Sequence, residues 1–456
     1  MMKKRWALLL AAALLAGAFT GCNPEKDGEE SSPLPSYSAL QVGEDYSDLK
    51  AELRILTNRT DLVNTDFARY VQEFQKLYPN VSISYEGMAD YASGITARLS
   101  DSGWGEVCMV PTGILVSDLG DYFHPLCTVA EIQDTYHFAS HRAYDGVVYG
   151  IPSTGNVKGV VYNKKVFAQA GYSEEQGNMP KTPDDFLTAL QAIKDKTDAI
   201  PLYTNFAAGW TITEWDGYIG AGATGDEEWL NVKMPQSKDP FASRGDGTGP
   251  YAVYSVLYEA VLRELTEEAP AATDWEGSKS MLNRGEIGAM VLGSWALPQI
   301  QQAGPNREDV ACMPFPITQS DGTQCATAGA DYCYGVNKEA SRDQKLAAML
   351  YIKWLSESSG YAAAQGGVPV RKGQAYPESL AAFAGARILE DKPAPLELTT
   401  LQPDVNRESG LLLGSDITHG QRIVEAASTG EETLVDILAD WNASWNTAVE
   451  AYSPAA

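Results

Sequence analysis

Apolar and amphipathic stretches alternate along the chain from about residue 51. The apolar stretch Glu52–Thr57 predicts a strand. The residues that follow bring large apolar side chains to one face at helical spacing, and Pro79 ends that pattern. Apolar and polar residues then alternate over Val81–Tyr85, as in a half-buried strand, and Glu106–Val110 is a further strand candidate. Strand, helix and strand in this order predict an α/β lobe with a mainly parallel sheet.

The same kinds of pattern continue to the C-terminus. Val157–Tyr162 is β-branched and extended, and Ile287–Leu292 predicts another strand. Thr182 is a good helix cap, because Pro and two acids follow it in the first turn. Ser341 begins a further helix, and the last helix runs from about Glu431 to Tyr452. No internal repeat is visible.

The N-terminus has the features of an export signal. Three basic residues precede an apolar stretch, Trp6–Phe19, which is shorter than a typical membrane span. The motif Phe19-Thr20-Gly21-Cys22 resembles the bacterial lipobox, although Phe19 stands where Leu is usual. We therefore predict a lipoprotein signal at residues 1–21 and a lipidated Cys22. An ordinary secretory signal with a chance cysteine is the alternative.

The segment up to residue 50 is rich in Pro, Ser, Gly and acids. Such a segment has little apolar surface to bury, so we interpret residues 22–50 as the lipidated Cys and a flexible tether. The roughly 400 residues that remain exceed what one core usually supports, which predicts two lobes. The formal net charge of −26 argues against nucleic acid or anionic lipid as a partner.

Five cysteines remain after Cys22, and their spacing matches no zinc motif. Most are expected to be small core residues, although a disulfide, Cys325–Cys333 or Cys108–Cys127, is open. The chain has no P-loop and no G-x-S-x-G motif. His137 and His141 are four residues apart, but Phe138 stands where a zinc protease needs Glu, so we expect no metal and no cofactor. A glycosidase pair among the many carboxylates stays open.

Four segments together resemble one protein family. They are LRILTNRTDL with the helix ending in FQKLYPNVSISYEG, then VYGIPSTGNVKGVVYNKKVFAQAGY with MPKTPDDFLTALQAIK, then NRGEIGAMVLGSWALPQI, and finally DYCYGVNKEASRDQKLAAMLYIKWLSES leading to GGVPVRKG. In order and spacing they are similar to family 1 extracellular solute-binding proteins, the carbohydrate receptors of ABC importers. The resemblance runs from about residue 51 to the C-terminus.

The resemblance implies an α/β fold of the class II periplasmic-binding-protein type, with a ligand cleft between two lobes. The hinge crossings would fall near Pro152–Lys158, Cys312–Phe315 and Gly367–Arg371. The N-lobe would then be residues 51–157 plus 313–366. The C-lobe would be residues 158–312 plus 367–456.

Three candidate binding residues come from their position after the first strand. Asn58, Arg59 and Asp61 follow it directly, and ligands bind where strand ends and loops converge in open α/β sheets. An Arg–Asp pair could grip neighbouring sugar hydroxyls, whereas a helix cap at Asp61 is the alternative role.

The other candidates are implied by the resemblance. Trp295 follows Gly293-Ser294 at a strand end, like a sugar-stacking position of the family. Trp210 and Trp215 lie in a region that often lines the cleft, with Asn205 and Asp216 as polar neighbours. Asn156 falls on the first crossing. The remaining candidates are Glu106, Asp331, Tyr332 and Arg371.

From these observations we expect a monomeric, non-catalytic receptor that is lipid-anchored on the outer face of the cytoplasmic membrane. It would capture a carbohydrate, an oligosaccharide, by hinge closure and deliver it to ABC permease subunits. The aromatic candidates favour sugar, because flat rings suit sugar faces and planar polar groups suit hydroxyls. The alternatives are a surface-attached glycoside hydrolase, a receptor for a peptide, phosphorylated polyol or metal, and a structural lipoprotein.

Overall fold

The computed structural model describes residues 33–88, 91–101, 103–111 and 113–452. The predicted signal at 1–21, Cys22 and the first part of the predicted tether lie outside these residues. From Ser36 onward the described chain is one compact unit. Within the described ranges, no helix combines the length and the apolar character that crossing a bilayer requires.

Fourteen strands and sixteen α-helices are assigned in the described chain. The strands are β1 (Ala51–Thr57), β2 (Val81–Gly87), β3 (Val107–Met109), β4 (Cys127–Thr128), β5 (Ala143–Tyr144), β6 (Val147–Val148), β7 (Ile151–Pro152), β8 (Gly155–Asn163), β9 (Ile200–Leu202), β10 (Ile287–Gly293), β11 (Val310–Pro314), β12 (Cys325–Ala330), β13 (Cys333–Val336) and β14 (Arg387–Glu390). The helices are α1 (Asp66–Gln75), α2 (Tyr91–Leu99), α3 (Leu119–Tyr122), α4 (Val129–Ile132), α5 (Lys164–Ala170), α6 (Pro183–Lys196), α7 (Trp210–Thr213), α8 (Ala221–Thr224), α9 (Gly249–Leu262), α10 (Trp275–Arg284), α11 (Ala296–Gln302), α12 (Arg342–Glu357), α13 (Tyr361–Ala364), α14 (Leu401–Glu408), α15 (Thr418–Thr429) and α16 (Leu434–Tyr452).

The first sheet has the strand order β2-β1-β3-β13-β7. Strands β1, β2 and β3 are parallel, and β13 runs antiparallel to β3 and to β7. The predicted strand–helix–strand unit is confirmed, because β1 and β2 pair over their full length from Ala51↔Val81 to Thr57↔Gly87. Helix α1 buries Phe67, Tyr70 and Phe74 against this sheet and against α12.

The second sheet has the strand order β14-β12-β8-β10-β9, and β11 also pairs with β8. Strand β8 is the centre, with β10, β11 and β12 all antiparallel to it. Its residues from Gly159 to Asn163 are buried on both faces, because helices cover both sides of the sheet. One face packs on α6, α9, α15 and α16, and the other packs on α10 and α11.

Two chain segments cross side by side from one sheet to the other. The backbone N–H of Ser153 donates to the carbonyl of Tyr332 at 3.1 Å, and that of Asp331 donates to Thr154 at 2.9 Å. The first crossing therefore lies at Ser153–Thr154, inside the range expected from the sequence. The second crossing lies at Asp331–Tyr332, so the expectation of Cys312–Phe315 is wrong. Strands β11 and β12 both pair with β8, which keeps residues 310–330 in the second sheet.

The third crossing starts where predicted but finishes later. Val368 exchanges backbone hydrogen bonds with Gly155 at the hinge, yet Arg371 and Gln374 still bond to Glu357 of α12. Val368 already packs in the core beneath the second sheet, and the chain returns to that core at Leu380 and Phe383. We therefore define the first lobe as residues 36–152 plus 333–365, and the second lobe as residues 155–330 plus 380–452.

The second half of the predicted tether is part of the first lobe, which corrects the prediction. Tyr37 is fully buried, and Leu40 is nearly so. The Tyr37 N–H donates to the Leu126 carbonyl at 2.8 Å, and its ring meets Tyr136 edge to face at 6.3 Å. A few large apolar side chains are enough to dock this segment, because the folded lobe supplies the surface they cover.

Two of the predicted helix starts are confirmed in detail. The Thr182 hydroxyl accepts the Asp185 N–H, and Ser341 with Gln344 forms a capping box. The expectation that cysteines serve as core residues is also confirmed, since Cys108, Cys127, Cys312, Cys325 and Cys333 are all buried. Each of these five is a free thiol, so neither disulfide considered from the sequence is formed.

Candidate functional site

The topology brings the functional ends of both sheets together. In the second sheet, β9, β10, β12 and β14 all run opposite to β8, so their carboxyl ends lie at the edge where β8 begins. In the first sheet, the carboxyl ends of β1 and β3 lie at the edge where β13 begins. The crossings join these two edges directly. The cleft between the lobes is therefore lined by strand ends, the usual ligand position in open α/β sheets.

Three tryptophans form a cluster at the β9–β10 end of this cleft. Trp210 at the start of α7, Trp275 at the start of α10 and Trp295 just after β10 have ring centroids 5.0 to 5.9 Å apart. Trp210 is 37% exposed, and the other two are partly exposed. We call these residues the tryptophan platform. Aromatic faces left open to a cleft are suited to the C–H faces of a sugar.

Gly293 allows the Trp295 indole to lie where it does. A Cβ atom at position 293 would stand only 2.6 Å from Cδ1 of the Trp295 ring. Gly293 pairs with Lys158 of β8, so the indole lies on the same face of the sheet as the Lys158 side chain. Because residue 293 has no side chain, the Trp295 indole can pack against the backbone at the end of β10.

Arg59 is the main polar group that the first lobe presents at the cleft. Its guanidinium makes a two-pronged contact with Asp61 at 2.9 and 2.7 Å and donates to Oε1 of Gln365 at 2.7 Å. Burial opposes the charge, but the hydrogen bonds to Asp61 prevail and raise the pKa of Arg59. Asp331 of the crossing is also near, and burial raises the pKa of its carboxyl while the Arg59 charge opposes that shift.

Asn58 and Asn156 are the neighbouring amides. The side-chain oxygen of Asn58 is buried and has no hydrogen-bond partner among the described residues. Asn156 lies opposite Gly329 of β12 and points to the same face of the sheet as Lys158. Both are partly exposed. An unpaired amide oxygen and an amide on the cleft face are suitable partners for hydroxyl groups.

At the β12–β14 end the cleft opens into a cavity of about 630 Å³, within the usual size range of ligand pockets. We call it the β14 cavity. The first lobe lines it with residues that include Val116, Tyr144 and Asp145, and the second lobe with residues that include Lys158, Asn231, Thr327, Glu390, Asp391 and Gln402. Lys158 also forms a salt bridge with Glu214 at 3.4 Å. Burial raises the pKa of Asp391 to about 6.

The structure corrects three of the residues predicted for the site. Glu106 lies at the amino end of β3, the end remote from the cleft, where it accepts hydrogen bonds from Arg54 and Gln344. Trp215 is buried in the second lobe against Phe315. Asp216 is 5% exposed. Its carboxylate accepts hydrogen bonds from the Tyr254 hydroxyl and the Gly414 N–H and also contacts Nε2 of His419, all within 2.9 Å. Glu106, Trp215 and Asp216 therefore have structural contacts and do not line the cleft.

Three further candidates do not join the cluster. Asn205 is buried in a left-handed conformation with φ of 55°, and its amide contacts the Met290 sulfur. Tyr332, which follows Asp331 in the second crossing, packs edge to face on Tyr91. Arg371 pairs with Glu357 at 3.3 Å and is mostly exposed.

Trp275, Lys158, Glu214, Tyr144 and Asp391 are additional cleft residues that the sequence reasoning did not identify. Only Lys158 carried a usable signal, because a lysine inside an apolar strand needs a partner or a function. His137, considered from the sequence as a metal ligand, instead contacts Glu390 across the lobes at 3.4 Å. In the described ranges, no three His, Cys, Asp or Glu side chains are grouped as metal ligands.

The paired α/β lobes, the adjacent crossings and the lined cleft define a two-lobed ligand-binding protein. A family model described as bacterial extracellular solute-binding protein matches residues 63–362, about two thirds of the chain. The protein belongs to this family. The family's description places its members outside the cytoplasm, as the export signal predicts.

Solved structures and a curated relative agree with this assignment. The chain is 39% identical to a manno-oligosaccharide-specific solute-binding protein of Bifidobacterium animalis subsp. lactis, solved with mannotriose, with a TM-score of 0.83 over 91% of this chain and 99% of that one. It is 38% identical to BlMnBP1, an ABC transporter binding protein of the same organism solved with mannobiose, with the same TM-score and coverage. The multiple sugar-binding protein of Streptococcus mutans is 21% identical over 75% of this chain and 77% of its own length.

Proposed function

We propose that this protein is the receptor of an ABC importer and captures a manno-oligosaccharide in the cleft between its lobes. The tryptophan platform carries the proposal, because three partly exposed indole rings in one cluster match sugar faces better than they match ions or small acids. The bound ligands of the Bifidobacterium structures, mannobiose and mannotriose, favour mannose units within the class of sugars.

The ligand contacts proposed are Asn58, Arg59, Asp61, Asn156 and Asp331 for hydroxyl groups, with Trp210 and Trp295 for sugar faces. Arg59 lies on the first lobe and Trp295 on the second, so one sugar touching both would favour the closed lobes. A ligand shifts this equilibrium only by its higher affinity for the closed form. Hinge closure of this kind would present a closed receptor to the permease subunits.

We also propose that the receptor is non-catalytic, monomeric and anchored by lipid at Cys22. A tethered receptor stays at a high local concentration near its importer. Labelling cells with a radioactive fatty-acid precursor should mark the wild-type chain and leave Cys22→Ser unlabelled. Equal labelling of both would exclude Cys22 as the anchor. Incubation with mannotriose should return the sugar intact, and cleavage products would instead support the glycoside hydrolase alternative.

The ligand class is tested by thermal unfolding with a panel of mannobiose, mannotriose, maltotriose and raffinose. A sugar that binds only the native state raises the unfolding temperature, and one at 100 times its Kd adds about 2.7 kcal/mol. We expect the manno-oligosaccharides to give the largest rise. A larger rise with maltotriose or raffinose would contradict the mannose assignment, and no rise with any sugar would contradict carbohydrate binding.

A further inference from the structure

The β14 cavity is separate from the tryptophan platform along the sheet edge. In the strand order β14-β12-β8-β10, three inter-strand spacings lie between Asp391, which follows β14, and Trp295, which follows β10. At about 4.8 Å per spacing this is roughly 14 Å. A single hexose, about as long as one such spacing, cannot touch both ends of the cleft.

One salt bridge, Lys158–Glu214, lies between the β14 cavity and the tryptophan platform. Lys158 lines the β14 cavity and points to the same face of the sheet as the Trp295 ring. Its ammonium group pairs with Glu214, which follows Trp210 by four residues in the same helical segment. The floor between the cavity and the platform is therefore polar and belongs to the same face of the second sheet.

The walls of the β14 cavity have the two kinds of group that a sugar needs. Tyr144 of the first lobe is 38% exposed and supplies a flat ring. Asp391 of the second lobe uses one carboxylate oxygen to accept the Ala221 N–H at 2.7 Å. Its other oxygen has no hydrogen bond among the described residues. Asn231 and Gln402 add amides on the same side.

The charge of the cavity selects among sugars. Its lining includes three acids, Asp145, Glu390 and Asp391, against the single lysine Lys158, which is already paired with Glu214. A carboxylated or phosphorylated sugar at this end would meet like charges without a free cation to balance them. Neutral hydroxyl groups, in contrast, can donate hydrogen bonds to these carboxylates.

We propose that the β14 cavity is a second sugar subsite. The ligand is then a linear, uncharged oligosaccharide of about four hexose units. Four units in a line are separated by three unit-to-unit distances, which match the three inter-strand spacings between the ends of the cleft. One end stacks on the tryptophan platform, and the other lies between Tyr144 and Asp391. The assignment rests on the proposed function and deepens it, because it specifies the length and the charge of the sugar.

The test is calorimetry with the manno-oligosaccharides from two to six units. For the wild type, affinity should rise with length up to about four units and then level off. An added contact that contributes about 1.4 kcal/mol increases the affinity about tenfold. Tyr144→Ala and Asp391→Asn should each lower the affinity for mannotetraose by about fivefold or more, and that for mannobiose by less than about twofold. Trp295→Ala should weaken both sugars.

Matched controls separate the subsite from general effects on the fold. Tyr46→Ala removes a similarly exposed ring of the first lobe outside the cleft, and Asp195→Asn changes an exposed acid on α6; neither should alter affinity for any length. Tetramannuronate, a carboxylated chain of the same length, should not bind at pH 7.

Three results would overturn the subsite. They are an affinity that does not depend on length, an equal loss for mannobiose and mannotetraose in Tyr144→Ala, and binding of tetramannuronate as tight as that of mannotetraose. Absence of binding at every length is a different result, because it would contradict the proposed function together with the subsite.

Discussion

Replacing Trp295 with alanine removes one of the three rings of the tryptophan platform. The indole lies over Gly293 at the end of β10, with the Trp210 and Trp275 rings 5.7 and 5.9 Å away. Alanine cannot fill this position, so the sugar face would lose its stacking partner. The neighbouring rings would stay, because each is held by its own helix.

The expected loss follows from the area that the ring covers. A sugar face that buries roughly 60 Å² of apolar surface on the indole contributes about 1.5 kcal/mol at 25 cal/mol per Å². The geometry of an aromatic contact adds about 0.5 kcal/mol. The sum of about 2 kcal/mol corresponds to a loss of roughly 30-fold in affinity, and tenfold is the smallest loss consistent with stacking.

Isothermal titration calorimetry with mannotriose measures this loss directly. Trp295→Tyr is the matched control, since it keeps an aromatic face and should lose much less affinity than Trp295→Ala. Thermal unfolding without sugar shows whether each variant folds, because Trp295 also packs partly against the core of the second lobe. A folded Trp295→Ala protein with unchanged affinity would remove Trp295 from the site and refute the stacking argument.

Two further predictions concern the polar groups of the cleft. Arg59→Ala should weaken mannotriose binding by tenfold or more, since a hydrogen bond to a charged group contributes about 1.5–3 kcal/mol; Arg69→Ala, which removes a similarly paired arginine from the surface of α1, should bind normally in the same titration. Asp391 has a folded-state pKa raised by burial to about 6, above its unfolded value near 3.8. The folded protein therefore holds more protons between these values, and this group lowers stability as pH rises from about 4 to 6. Asp391→Asn should lack that decline in unfolding temperature, and parallel curves for both proteins would contradict a raised pKa.

Local sequence signals were sufficient for most elements of the fold. The alternation at Val81–Tyr85, the cap at Thr182 and the helix start at Ser341 all correspond to observed strands and helices. These signals are reliable because each depends on residues a few positions apart, whose hydrogen bonds and burial pattern are local.

The hinge could be predicted only in part. The apolar segment at Cys312–Phe315 looked like a crossing, but it pairs with β8, and the chain returns to β8 again in β12 before it crosses. Composition likewise suggested a flexible tether up to residue 50, although Tyr37 is buried in the first lobe. Strand partners and docking surfaces are contributed by distant parts of the chain, so neither could be inferred from the segment itself.

The sequence by itself determined the class of fold, and it predicted an export signal and a binding site of aromatic, amide and carboxylate groups. Only the tertiary structure decided which of those groups meet. Trp215 and Trp295 are both tryptophans in the predicted site region, yet Trp215 packs on Phe315 while Trp295 lies over a glycine at the strand end. Trp275 and Asp391, more than a hundred residues apart, line opposite ends of one cleft. Exposure of a side chain depends on what packs against it, and in an α/β fold those neighbours come from strands and helices far away in the chain.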